Sequence, residues 1–204
     1  MKLRLTAAAL SLLVAAVPAL ASQHTEHKPD AAPAAGGMSE ADMKAMAAAG
    51  TPGPEHEALA KFAGDWTFTN KFWMAPGAPP MESTGTMHGE ATWGGRYVVE
   101  DWKGSMMGQP FEGRGVNTYN NTAKRYENTW MDNGSTGIWF STGTCDAAGV
   151  CTYTGDGWDP ISGQKMAMRS VLSWVDANTF KMEMYGPGPD GKEYRSMEIV
   201  AKKK

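Results

Sequence analysis

Three polar residues interrupt apolar strand faces and are the strongest candidates for chemistry in this chain. Each has an apolar residue two positions before it and two positions after it: Asn70 within Phe68–Phe72, Glu100 within Val98–Trp102, and Asn128 within Tyr126–Trp130. Small-molecule pockets are mostly apolar and carry a few placed polar groups. We therefore predict a ligand site inside the fold, formed by Asn70, Glu100, Tyr126, Asn128 and Trp130.

The same side chains also have simpler interpretations. An Asn or Glu can bond to neighbouring backbone, or can face outward from a strand whose alternation is imperfect. If Glu100 faces inward, it could instead be the acid–base carboxylate of an enzyme without a recognisable motif. We predict no catalytic residue, because the chain has no Gly-x-Ser-x-Gly elbow, no His-Glu-x-x-His and no phosphate-binding loop.

A metal site is predicted only at the N-terminus of the mature chain. Cleavage after Ala21 would leave Ser22, Gln23 and His24 as the first three residues. Their free amine, backbone amides and imidazole form a square-planar set that suits Cu(II) or Ni(II). A cut shifted by one residue removes this motif, and no other cofactor is predicted. The two histidines of the main domain, His56 and His88, are interpreted as surface residues.

The first 21 residues predict export. Lys2 and Arg4 precede an apolar run over residues 5–17, and a small-x-small cleavage site ends at Ala21. Losing Lys2 and Arg4 lowers the net charge from −3 to −5. This acidic balance, without a basic patch, argues against a nucleic-acid partner. We expect a periplasmic or secreted bacterial protein without a transmembrane span, and the sequence leaves its oligomeric state open.

Cys145 and Cys151 flank a five-residue turn between two predicted strands. In an oxidising compartment this pair would join the two strands of the hairpin. A metal or redox role would need further ligands or a closer Cys-x-x-Cys spacing. We predict a structural disulfide, with two unpaired thiols as the alternative.

The mature chain divides into a leader and one domain. Residues 22–54 are rich in Ala, Pro, His and Met and lack strand-like alternation, so we predict a flexible leader. Within it, residues 39–46 could form one or two helical turns capped by Ser39. Residues 55–204 are long enough to bury one hydrophobic core. They begin with a predicted short helix over residues 55–62.

Apolar and polar residues alternate from Trp66 onward, which predicts β-strands. The alternation is clearest over residues 165–174 and 180–184, and turn pairs such as Gly94-Gly95 and Asp190-Gly191 separate the runs. We count eight to ten strands at hairpin spacing, too close together for the crossover helices of a parallel sheet. The predicted fold is all-β: an antiparallel up-and-down barrel plugged by the short helix, with a sandwich as the alternative.

Several longer segments carry a resemblance. Gly64-Asp65-Trp66 after a short helix is similar to the Gly-x-Trp signature of lipocalin-like (calycin) barrels. The chain also resembles the exported bacterial domain-of-unknown-function 1579 family over residues 53–66, 76–83, 94–97, 103–115, 130–133 and 189–193. These segments lie across nearly all of residues 53–200. The resemblance implies an exported barrel domain, and it carries over no catalytic residue.

The calycin resemblance also implies one structural pair. In such barrels the Gly-x-Trp tryptophan packs at the closed end beneath an arginine from the final strand. Arg195 is the matching candidate, because simple alternation places it on the same face as Met197, Ile199 and Ala201. The expected contact is a cation–π interaction between Arg195 and Trp66.

These observations favour a non-enzymatic protein that binds a small apolar or amphipathic molecule inside the barrel. The alternatives are a filled barrel with a structural or interaction role, an envelope Cu(II)/Ni(II)-binding protein and an unrecognised enzyme. A ligand-binding barrel is expected to contain a cavity of at least about 300 Å³ lined by Trp and Tyr, whereas a solid core would exclude this function.

Overall fold

The computed structural model describes residues 37–159 and 162–204 and contains a closed β-barrel. Two helices come first among these residues: α1 (Glu40–Gly50) and α2 (Pro54–Ala60). Ten strands follow: β1 (Gly64–Phe72), β2 (Met81–Thr92), β3 (Tyr97–Met106), β4 (Gln109–Asn120), β5 (Arg125–Asp132), β6 (Trp139–Cys145), β7 (Cys151–Trp158), β8 (Lys165–Asp176), β9 (Thr179–Pro187) and β10 (Glu193–Lys203).

Each strand pairs antiparallel with its neighbour in the chain, and β1 pairs with β10 to close the barrel. The predicted up-and-down topology is therefore confirmed. Alternation along β1 shows why the strands form, since Trp66, Phe68 and Asn70 are buried while Thr67 and Thr69 are exposed. Closure removes every unpaired strand edge, which a sandwich would have left exposed.

Helix α2 covers one end of the barrel, as the sequence predicts. Pro54 occupies the first turn, and Leu59 and Phe62 are buried. The Phe62 ring packs 5.0 Å from Trp174 and 5.1 Å from Phe180, measured between ring centroids. Gly64 then turns the chain into β1 with φ 110°, a conformation that favours glycine. We call this end of the barrel the closed end.

Helix α1 lies within the predicted leader and is longer than the one or two turns predicted. Ser39 caps it as expected, because its Oγ accepts a hydrogen bond from the Asp42 N–H at 3.1 Å. High alanine content favours extension of the helix to Gly50. The Asn121 side-chain amide donates to the carbonyl of Thr51 at 2.7 Å and to that of Ala48 at 3.2 Å. These two hydrogen bonds attach the C-terminal end of α1 to the turn between β4 and β5.

Two predictions for the first part of the chain fall outside the described residues. These are the signal peptide over residues 1–21 and the metal set Ser22, Gln23 and His24, so both stay predictions. Neither described helix is long and apolar enough to cross a membrane.

Cys145 and Cys151 form the predicted disulfide, which confirms the structural interpretation. The two residues are direct register partners across β6 and β7. The Asp146 carboxylate supports the turn between them by accepting hydrogen bonds from the Ala148 and Val150 N–H groups, both at 2.9 Å. The disulfide thus closes a small loop whose backbone is already ordered.

Replacing both cysteines with serine is expected to lower the free energy of unfolding by about 2 kcal/mol, because the unfolded chain regains the entropy of one short loop. Urea unfolding of the oxidised protein and the double variant measures this difference. Wild-type protein treated with a reductant is the matched control and should unfold at the same urea concentration as the variant. Equal midpoints for the oxidised protein and the variant would show that the disulfide contributes nothing.

Candidate ligand-binding cavity

The barrel interior contains a cavity of about 190 Å³. Aromatic and aliphatic side chains form most of its wall, with Leu59 and Phe62 next to the closed end and Trp102 and Trp130 on the strands. Three features make room for it: the barrel has ten strands, the plug is a single short helix, and glycines occupy inward positions. A Cβ at Gly113 would overlap the Trp130 indole, so glycine is required for that ring to lie against β4.

Four of the five predicted ligand-binding residues line this cavity: Asn70, Glu100, Asn128 and Trp130. The fifth, Tyr126, is buried in the core and does not line the cavity, but its ring centroid is 6.3 Å from that of Tyr153, which does. One of the two simpler interpretations, that the polar residues face outward, is therefore wrong for Asn70, Glu100 and Asn128.

The prediction missed several polar residues of the wall. Asn117, Ser141, Ser83 and Tyr153 also line the cavity. Strand register could have found two of them, because Asn117 pairs with Asn128 across β4 and β5, and Asn128 pairs with Ser141 across β5 and β6. Inward residues that are register partners share a wall, so one polar position indicates its neighbours.

A chain of hydrogen bonds crosses four strands and ends at Glu100. The Ser141 hydroxyl donates to Asn128 Oδ1 at 3.4 Å, and Asn128 Nδ2 donates to Asn117 Oδ1 at 2.8 Å. Asn117 and the Trp102 indole N–H then donate to the Glu100 carboxyl group, the indole at 3.2 Å. Each hydrogen bond in this network is donated toward the next residue on the way to Glu100. This arrangement favours negative charge on the Glu100 carboxyl group.

Burial opposes that charge. Glu100 is only partly exposed and lines the cavity, so its carboxylate has lost most of its contact with water. Burial raises the pKa of Glu100 from its ordinary 4.5 to about 7, although the hydrogen bonds from Trp102 and Asn117 act in the opposite direction. Burial also raises the pKa of the nearby Tyr153, which stays neutral. Glu100 therefore changes charge near neutral pH.

Asn70 presents an unused acceptor. The residue is 7% exposed, and its Nδ2 donates to Ser83 Oγ at 3.4 Å across β1 and β2. Its Oδ1 is buried without a hydrogen-bond partner, the one such side-chain atom among the residues that the structure describes. A buried polar atom without a partner costs about 1–3 kcal/mol, so Asn70 is kept in the cavity wall at a cost in stability.

The predicted contact between Arg195 and Trp66 is wrong. Trp66 is fully buried at the closed end, but the cation over its ring is the Lys203 ammonium, 5.3 Å from the centroid. Arg195 instead lies 4.7 Å over the Trp73 ring, and its Nη1 bonds to Glu183 and Glu198 at 2.7 Å each. The role implied for an arginine on the final strand is filled here by a lysine.

A β-bulge in β10 explains this error. Arg195 pairs with Tyr185, whereas Met197 pairs with Met184, so β10 has one extra residue between them. An extra residue reverses the facing of everything before it. Arg195 therefore lies on the outer face with Glu183, while Met197 and Ile199 line the cavity. Lys203 is the direct register partner of Trp66.

His56 is also not the surface residue predicted. It is buried, its Nδ1 accepts a hydrogen bond from the Gly53 N–H at 3.1 Å, and its ring contacts Tyr119 edge-on. It fixes the start of α2 and does not line the cavity. His88 is exposed as predicted and bonds to Asp65 at 2.8 Å. Among the described residues, no group of three His, Cys, Asp or Glu side chains could hold a metal ion.

Comparison with solved structures finds chains similar to this one. The chain is similar to the crystal structure of Rv2717c from M. tuberculosis, with 13% identity and a TM-score of 0.54, over 76% of this chain and 99% of that one. It is also similar to a redesigned β-barrel, b11L5F_LGL, with 17% identity and a TM-score of 0.37, over 72% and 95% of the two chains. At such low identity the first likeness supports the barrel fold alone.

No curated protein matches the chain significantly. The family model described as "Protein of unknown function (DUF1579)" matches residues 51–203, which is the whole barrel with α2. This match agrees with the resemblance seen in the sequence segments. The chain therefore belongs to the DUF1579 family.

Proposed function

We propose that this barrel binds a small apolar or amphipathic molecule in its interior cavity and does so without catalysis. The observation that carries the proposal is a mostly apolar cavity whose wall includes Asn70, a residue with a buried amide oxygen that has no partner among the described residues. A filled structural barrel would have no reason to keep a buried acceptor unpaired, since an apolar residue of similar size would be more stable there.

The cavity volume limits the size of the ligand. At about 190 Å³ it is neither a solid core nor the cavity of at least about 300 Å³ that the sequence led us to expect. An apolar protein cavity of about 150 Å³ is sufficient to hold benzene. We therefore propose a compact ligand, of which the cavity encloses about one ring with a short substituent.

A second candidate function is acid–base catalysis at Glu100. A carboxyl group with a pKa of about 7 is suited to exchange protons at neutral pH, and Glu100 lines the cavity. The described lining offers no nucleophile paired with a base, so binding remains the preferred proposal. Chemical change of a bound molecule that ceases in Glu100→Gln would favour the enzyme.

We also propose that the protein acts outside the cytoplasm, in the periplasm or as a secreted protein. The Cys145–Cys151 disulfide supports this placement, because disulfides persist in oxidising compartments.

Ser170→Phe tests the binding site directly. Ser170 lines the cavity from β8, and a phenyl ring there would occupy the space that a one-ring ligand needs. We expect affinity for benzyl alcohol to fall by more than about 100-fold, while the melting temperature changes by only a few degrees, because burial of the ring offsets packing strain. Isothermal titration calorimetry and thermal unfolding measure the two effects.

The matched control is Ser173→Phe on the same strand. Ser173 pairs with Lys181, whose ammonium bonds to Glu183 on the outer face, so the added ring lies outside the barrel. This variant should bind benzyl alcohol as the wild type does. Unchanged binding by Ser170→Phe, or no binding of any one-ring probe by the wild type, would reject the proposed function.

A further inference from the structure

We infer that the molecule bound in the cavity carries a protonated amine, which bonds to Glu100 while its apolar body lies against the tryptophans. This inference rests on the proposed function, because it names the chemical class of ligand for the same cavity. It follows from the charges, the unused hydrogen-bonding groups and the aromatic rings of the cavity wall.

Among the described residues that line the cavity, the one side chain that can be charged near neutral pH is acidic. Glu100 is the one acidic side chain among the described residues that line the cavity, and that lining contains no Lys, Arg or His. An ionised carboxylate in such a place has no counter-ion among the described residues of the lining. Burying an unpaired charge is far more expensive than burying a paired one. A ligand cation would therefore complete the site.

The Glu100 carboxylate keeps capacity to accept hydrogen bonds that the described residues do not use. The amide donors that point into the wall are engaged, since Asn128 Nδ2 bonds to Asn117 and Asn70 Nδ2 bonds to Ser83. Among the described residues, the Glu100 carboxylate accepts hydrogen bonds from the Trp102 indole and Asn117, and a carboxylate can accept more than two. An ammonium group, which has donors and no acceptor, complements such a wall.

The aromatic rings suit the same ligand. Trp102 and Trp130 both line the cavity with centroids 6.2 Å apart, and Phe111 stacks on Trp130 at 6.3 Å. Tryptophan faces attract organic cations and also pack against an apolar body. An anion would meet the opposite conditions, because it would face Glu100 without a compensating cation.

Among the described residues, few titratable groups lie near Glu100. Trp102 on β3 and Asn117 on β4 bond to it and do not titrate near neutral pH, and Tyr153 on β7 is held neutral by burial. Farther away, Tyr126 contacts Tyr153, and burial also raises its pKa. The charge available to a bound amine is therefore that of Glu100 itself.

Three ligands of nearly equal size test the inference: benzylamine, benzyl alcohol and toluene. At about pH 8 we expect wild-type protein to bind benzylamine about 10- to 100-fold more tightly than benzyl alcohol, since hydrogen bonds between charged groups are the stronger ones. Lowering the pH to about 5 protonates Glu100 and should remove most of this preference, while toluene binding changes little. Calorimetric titrations over the pH range measure all three affinities.

Glu100→Gln supplies the variant test. It keeps the size and hydrogen-bonding shape of the side chain and removes its charge, so benzylamine should lose its advantage while toluene still binds. Benzyl alcohol or toluene binding as tightly as benzylamine at about pH 8 would overturn the inference and leave the proposed function standing. An amine preference that persists in Glu100→Gln would also overturn it. Failure of all three probes would instead reject the proposed function. Should the variant not fold, the wild-type affinities and their pH dependence decide alone.

Discussion

Replacing Trp66 with alanine is expected to lower the free energy of unfolding by about 3–5 kcal/mol, the range typical of a large aromatic removed from a core. Trp66 is fully buried, and its ring centroid lies 5.1 Å from Phe180 and 6.1 Å from Trp174. Its indole N–H also donates to the Phe62 carbonyl at 2.9 Å, which joins β1 to the residues after α2. Urea unfolding followed by circular dichroism measures the loss.

Two controls separate the contributions to this effect. Trp66→Phe keeps most of the ring volume and removes the indole donor, so it should cost less than Trp66→Ala and should leave the Phe62 carbonyl unsatisfied. Trp93→Ala removes a tryptophan that is 76% exposed and should change stability by less than about 0.5 kcal/mol. A loss below about 1 kcal/mol in Trp66→Ala would contradict the view that Trp66 holds the closed end together.

The barrel fold was predictable because the sequence features that indicate it involve residues close together in the chain. Period-two alternation and turn residues recur along the chain, and hairpin spacing leaves antiparallel pairing as the simple solution. The disulfide followed from the same logic, since Cys145 and Cys151 flank a turn between consecutive strands. Such features depend on residues near one another in sequence, and tertiary contacts did not override them.

The sequence predicted which side chains point into the barrel only in strands without a β-bulge. Asn70, Glu100 and Asn128 face inward as alternation requires, because no bulge interrupts their strands before them. Arg195 does not, because one extra residue precedes Met197 in β10. Nothing in the residue types around Ser196 indicates that bulge. Counting from Trp66 through its register partner would have led to Lys203 instead.

The size of the cavity could not be predicted, because it depends on how side chains from ten strands meet. Glycines at inward positions such as Gly113 allow Trp130 to lie flat against the wall, whereas the rings of Phe62 and Phe180 fill the closed end. The cavity volume is the small difference between the volume that the barrel encloses and the volume of the side chains inside it. A sequence pattern gives the direction of each side chain and leaves that difference undetermined.

Glu100 makes the folded protein less stable as the pH rises, and this is the second large effect expected. Its pKa is about 7 in the folded protein and 4.5 for an ordinary glutamate, so the folded state binds more protons between these values. Stability then falls with rising pH, beginning near the unfolded pKa and ending once the pH exceeds the folded pKa. The difference corresponds to about 3 kcal/mol between about pH 4.5 and pH 8.

Glu100→Gln removes this dependence, because glutamine does not titrate. We expect the stability of the variant relative to the wild type to rise by about 3 kcal/mol from about pH 4.5 to pH 8, measured by urea unfolding at intervals across that range. Glu112→Gln is the control, since that carboxylate is exposed on the neighbouring strand and its loss should shift the profile little. If the free energies of unfolding of Glu100→Gln and the wild type differ by the same amount at every pH, burial does not raise the pKa of Glu100 in the folded protein. A one-ring amine added at about pH 8 should restore part of the lost wild-type stability, because a ligand that binds the folded state stabilises it.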